Sequence, residues 1–164
     1  MKTVVIALTL AATAGVAVAQ PPQTPRPRRI EAALAREAAE TAIATCLKEN
    51  VKLSAAVVDA AGNPILVLAP DNADPRTADW ALRKAITAAY TGKASGETPK
   101  LAQTDAALKE KLAAPGSRFI TWQGGLPILV GETVVGALAT SGGPSAKDEA
   151  CSKAGIDKIQ ARLK

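Results

Sequence analysis

Apart from one unbroken stretch, Val4 to Val18, the apolar residues of this chain fall into short segments with helical or strand periodicity. Ile30 to Asn50 predicts a helix: Ala39, Ala42, Ile43, Cys46 and Leu47 share one face, with Glu37, Glu40, Lys48 and Glu49 opposite or at its edges. Leu53 to Ala60 predicts a strand, Ala61-Gly62-Asn63 a turn and Pro64 to Ala69 a second strand, together a hairpin. Leu53, Ala55 and Val57 alternate with Ala56 and Val58, so both faces of the first strand are apolar or small and both need cover.

Pro70 to Arg76 reads as a loop, and Thr77 as the N-cap of a helix reaching Thr91, with Ala78, Ala81, Leu82, Ala85, Ile86 and Ala89 as its buried stripe. Thr98 followed by Pro99 opens a shorter helix through about Leu112. Three strands are then expected, Arg118 to Trp122, Pro127 to Val130 and Thr133 to Ser141, with turns at Gly124-Gly125 and Gly131-Glu132. Ser145 and Asp148 approximate a capping box for a last helix with Ile156, Ile159 and Leu163 inside. Helix, hairpin, two helices, meander, helix gives an α+β fold: an antiparallel sheet with helices on its faces.

The first 19 residues have the layout of a secretory signal: Lys2, the apolar run, then Ala17-Val18-Ala19 at the cleavage positions. The run is shorter than the about 20 residues a membrane-spanning helix needs. Gln20-Pro21-Pro22 follows in place of a basic stop-transfer cluster. Residues 20–29 form a Pro/Arg-rich linker with four prolines, and residues 30–164 are the size of one domain. The expected protein is exported, periplasmic or extracellular, with no stable membrane insertion after cleavage.

Removing residues 1–19 takes away one lysine and no acid, so the net charge falls from +5 to +4, three of these charges being Arg26, Arg28 and Arg29. These arginines read as a solvated linker that also helps export, the alternative being contact with an anionic surface. With four aromatic residues and no basic face interleaved with them, the chain shows no nucleic-acid motif.

Three stretches carry a resemblance. Ala56-Val57-Val58-Asp59-Ala60-Ala61-Gly62-Asn63, the segment from Lys84-Ala85 to Thr98-Pro99, and Gly124-Gly125-Leu126-Pro127-Ile128 with Val135-Gly136-Ala137, Ser141-Gly142-Gly143 and Asp148 resemble the GlcG/HbpS family of haem-degrading-like domains. The family is related to the C-terminal domain of PduO-type cobalamin enzymes. The resemblance implies a profilin-like, five-stranded antiparallel sheet flanked by helices, homo-oligomers, and haem or a related tetrapyrrole as ligand, held at a subunit interface. Another small organic ligand is the alternative.

The residue inventory restricts the chemistry. There is no histidine, and Met1 is the only methionine, so the common axial ligands of haem iron and the usual hydrolase base are missing. Tyr90 is a candidate phenolate ligand, or a packing aromatic beside the helix stripe. Trp80, Lys84 and Thr87, at i, i+4 and i+7, are expected opposite that stripe, as an oligomer contact or a ligand pocket in which Lys84 meets an anionic group. Gly125 and Pro127 of the family motif complete the candidate ligand set.

Glu37 and Glu40, in E-x-x-E spacing, are weak metal candidates against an ordinary solvated surface. Cys46 and Cys151 make an even pair that suggests a disulfide in an oxidising compartment, reduced buried thiols being the alternative. Asp59 and Asp148 are explained by a turn and a cap. No paired constellation marks an enzyme. A cofactor-independent one would have to use Lys84 or a carboxylate as base.

Overall fold

A computed structural model describes residues 30–163. The expected signal and linker, residues 1–29, lie outside the described residues. The order is α1 (Ala32–Leu47), β1 (Ser54–Asp59), β2 (Pro64–Leu68), α2 (Arg76–Thr91), α3 (Thr98–Leu101), α4 (Ala106–Ala113), β3 (Gly125–Val130), β4 (Thr133–Ser141) and α5 (Ser145–Ile159), with short 3-10 turns before α3 and after α5.

The strands form one antiparallel sheet in the order β2-β1-β4-β3. Both faces are covered, as the apolar alternation of β1 requires. On one face, Ala35, Ala38, Ala39 and Ala42 of α1 and Ile156 and Ile159 of α5 pack on Ala55, Val57 and Leu138. On the other, Ala85, Ile86, Ala88 and Ala89 of α2 pack on Val58, Ala137 and Ala139. With so much alanine in these layers, backbones approach closely. At Gly155 of α5 a Cβ would collide with the Ala38 carbonyl of α1 and press on the Leu138 side chain. Cys46 and Cys151 are joined across the same helix pair, with Cα atoms 5.9 Å apart.

The hairpin follows from its turn chemistry: Asp59 Oδ1 accepts from the N–H groups of Ala61 and Asn63, each at 2.9 Å, and Gly62 takes φ +81°. Pro127, which has no N–H to give a ladder, sits in edge strand β3.

The sheet has four strands and not five. Arg118 to Trp122 forms no ladder because side chains take its backbone groups. The Ile120 N–H donates to Thr87 Oγ1 at 3.0 Å, the Trp122 carbonyl accepts from Ser95 Oγ at 2.6 Å, and Arg83 donates to the carbonyls of Ser117 and Arg118. Gly125, expected in a turn, is the first residue of β3.

Local signals shift elsewhere too. The helix expected from Thr98 to Leu112 is split, and Asp105 caps the second piece by accepting from the Leu108 N–H. Helix α2 starts at Arg76, before Thr77, whose hydroxyl donates to the Asp74 carbonyl and lies 2.8 Å from Ser54 Oγ of β1. The expected capping box of α5 does not form: Pro144 holds the N-cap position and Asp148 turns inward.

Candidate functional site

Helix α2 carries most of the candidate residues, and the structure separates them into three environments. Lys84 and Thr87, expected on an open face, are fully buried at 1% and 0% exposure. The helix is covered twice, by the sheet below and by the Arg118–Gly125 segment alongside. A reading that assumes one buried stripe turns the second contact face into a solvent face.

Lys84 extends past the end of the sheet. Its Nζ donates to Asp148 Oδ2 at 2.8 Å and to the Thr140 carbonyl at 3.2 Å. Asp148 Oδ1 accepts from the Gly143 N–H, and the Ser152 hydroxyl donates to the Gly124 carbonyl at 2.6 Å. The Gly124-Gly125 pair leaves room for this arrangement: a Cβ at Gly124 would press on the Lys84 ammonium, and one at Gly125 would collide with the Lys84 backbone carbonyl. Burial pushes the Asp148 carboxyl above its ordinary value, against the hydrogen bond and charge of Lys84 and the backbone N–H groups of Gly143 and Gly142. The constellation is enclosed and internally matched: it fastens α2, β4 and α5 together. As a base, Lys84 has no route to a substrate.

Trp80 is half-buried at the other flank of α2. Its ring meets Trp122 edge-on at a centroid distance of 5.9 Å, and Arg76 lies over it at 5.2 Å. Trp122 is 54% exposed. Lys84 does not join this pair, so the expected Trp80–Lys84–Thr87 patch does not exist as one surface.

Tyr90, near the C-terminal end of α2, is 51% exposed and leans on Phe119 at 5.1 Å between ring centroids. Both rings line a cleft of about 300 Å³ together with Ile86, Ala89 and the hairpin turn Ala60-Ala61-Gly62. Lys111 of α4 closes one side, its ammonium 5.2 Å from the tyrosine ring centroid. An aromatic wall, a floor of small side chains, one phenol and one cation suit a flat organic molecule bearing a carboxylate. Were a haem group bound here, Tyr90 would be the candidate iron donor and Lys111 the candidate partner for a propionate. Lys111 and Phe119 were not singled out by sequence, because only the fold brings α4 and the Phe119 segment to α2. Gly125 and Pro127 lie in β3 and do not line this cleft.

Glu37 is bound to Arg162 at 2.8 Å, which holds its carboxyl below the ordinary value, and Glu40 faces Arg36 at 3.5 Å. Each E-x-x-E carboxylate thus has an arginine of its own. Among the described residues no group of three metal-ligating side chains converges.

Comparison with known proteins places this geometry. The family model described as haem degrading protein HbpS-like matches residues 30–157. The structure of Klebsiella pneumoniae protein ORFY, of family DUF336, is similar with a TM-score of 0.75 and 26% identity, covering 87% of this chain and 99% of that one. HbpS of Streptomyces reticuli, solved as a double glutamate-to-aspartate mutant, gives a TM-score of 0.71 and 27% identity over 93% of this chain and 98% of that one. A PduOC:heme complex gives 0.70 and 22% identity over 80% and 95%, a likeness of fold.

Proposed function

The chain belongs to the family described as haem degrading protein HbpS-like, and from that membership we propose that it binds haem or a related tetrapyrrole in the cleft beside Tyr90. The observation that carries this reading is the convergence of Tyr90, Phe119 and Lys111 on one cleft. The cleft lies at the small end of the range for organic-ligand sites. A macrocycle would enter by one edge, with a propionate toward Lys111, and a second copy of the chain would cover its outer part. Bound haem would bring a ferric centre open to phenolate coordination.

The apolar run after Lys2 and the small residues up to Ala19 support export of this binding protein to the periplasm or the medium. The enclosed pairing of Lys84 favours a binding role over catalysis.

Hemin titration into the protein tests the proposal. A saturable shift of the Soret band at low micromolar concentration is expected, weakened by Lys111→Ala. Tyr90→Phe should remove the spectral signature of phenolate ligation. A Soret band that protein leaves unchanged rejects haem.

A second reading, a planar organic acid without iron, is favoured by the lack of histidine and by Met1 being the only methionine. Iron-free protoporphyrin binding as tightly as hemin, with Tyr90→Phe silent, would select it.

A further inference from the structure

Helix α4 stands beside the Tyr90 cleft with little to hold it there. Of its eight residues, Leu108 alone is buried and Leu112 is half-buried, while the other six are exposed. Among the described residues no helix or strand packs along it. Its tie to the cleft is Lys111, whose ammonium lies 5.2 Å from the Tyr90 ring centroid. Lys111 is also the residue that α4 gives to the cleft wall.

Both ends of the helix are built to swing. Ala102 to Thr104 form a turn, and the chain before them is anchored at Thr98, which is fully buried. On the other side Gly116 takes φ +73°, with open space where a Cβ would stand. Arg83 then holds the carbonyls of Ser117 and Arg118, at 2.9 and 3.4 Å, so the fixed body resumes at the next residue. An eight-residue helix does not persist alone in water, where isolated helices under about 12–15 residues are marginal. Losing the Leu108 and Lys111 contacts therefore detaches α4 and melts it in one step.

We infer that α4 is a lid: the chain from Ala102 to Gly116 opens by local unfolding to admit the ligand of the Tyr90 cleft, and Lys111 latches it shut. The inference rests on the proposed use of that cleft and adds how its occupant enters. It explains how a cleft of about 300 Å³ serves a larger flat molecule. With α4 away, the side that Lys111 closes is open. The Tyr90 and Phe119 rings stay in place, because α2 carries one and the segment held by Arg83 carries the other.

Residue-resolved amide exchange of the ligand-free full chain tests the lid. The hydrogen-bonded amides of α4 should exchange at least a hundredfold faster than those in the middle of α2. Asp105 caps α4 by accepting from the Leu108 N–H at 2.9 Å and does not line the cleft. Asp105→Ala should speed α4 exchange about fivefold and leave α2 unchanged. Lys111→Ala should speed it about two- to fivefold. Tyr90→Leu should repeat the Lys111→Ala effect without adding to it, and Tyr90→Phe, which keeps the ring, should be silent.

Stopped-flow mixing with protoporphyrin and with hemin supplies the second readout. Asp105→Ala should associate about fivefold faster than the parent, because more of the chain is open. An α4 that exchanges no faster than α2, or that ignores Asp105→Ala and Lys111→Ala, overturns the lid. So does association that Asp105→Ala leaves unchanged. A protein that binds neither compound rejects the assignment of the cleft and not the lid, which ligand-free exchange decides by itself.

Discussion

Lys84 Nζ lies 2.8 Å from Asp148 Oδ2 although the two residues sit on helices packed against opposite faces of the sheet. Breaking such a buried pair from one side strands the other charge, at a cost of about 3–5 kcal/mol. Lys84→Met should lose that much stability in urea unfolding. Lys84→Met/Asp148→Leu should lose clearly less than the two single changes added together. Additive losses would mean that the pair does not act as a unit.

Acid should act on this protein with two opposite signs. Asp148 is raised above 3.8 in the folded chain, so its contribution to stability is whole below the unfolded value and is lost as pH rises through the folded one. Asp74 is held down at about 2, first by its side-chain hydrogen bond from Arg76, so its contribution is present above 3.8 and is lost as pH falls toward about 2. Unfolding curves across pH 2–7 should show Asp74→Asn flattening only the lowest part. That effect should shrink in salt, because Asp74 is on the surface. For Asp148→Asn, the stability gap to the parent should narrow as pH rises.

Reduction of Cys46–Cys151 opens a loop of 105 residues in the unfolded chain. In the chain-entropy treatment this costs up to about 4.7 kcal/mol. A Cys46→Ala/Cys151→Ala variant should therefore melt well below the oxidised parent and be indifferent to reductant. Equal melting of the two would show that the bridge adds no stability.

Gly155→Ala offers a sharper probe of the α1–α5 contact. The added methyl group meets the Ala38 carbonyl, a backbone atom that cannot rotate away. A loss of about 1–3 kcal/mol is expected from overpacking. The helix itself would gain from alanine, so an unchanged melting temperature would mean the two helices part easily.

At the ligand cleft, Lys111→Glu should weaken binding of protoporphyrin more than Lys111→Ala does. The expected difference is about tenfold, or ~1.4 kcal/mol. It should vanish for a porphyrin whose propionates are esterified; equal affinities for all three proteins would remove Lys111 from the site.

Much of the architecture could be read from periodicity and turn chemistry. The Asp59–Asn63 hairpin, the two-faced burial of β1 and the helices before and after it follow from residues close in sequence, and family membership agrees with the quoted motifs. What stayed hidden was any contact made by a side chain at long range. Arg118 to Trp122 has strand composition, yet Thr87, Arg83 and Ser95 claim its backbone. Lys84 looks solvated until Gly124, which leaves room for its ammonium, and Gly125, which lets the α2 backbone come close, are seen beside it. Asp148 has cap spacing but serves the interior. Tyr90 was visible as a candidate; its cleft partners Phe119 and Lys111 were not, because they reach α2 only through the fold.

The two helical layers are braced unequally. One is locked covalently between Cys46 and Cys151, while the other is moored by an ion pair and a few hydroxyls. Amide exchange should therefore proceed through sub-global openings that free α2 while α1 and α5 remain protected. The side of the molecule that holds the aromatic cleft is then the side that breathes, and an occupant there would slow exchange along α2 first.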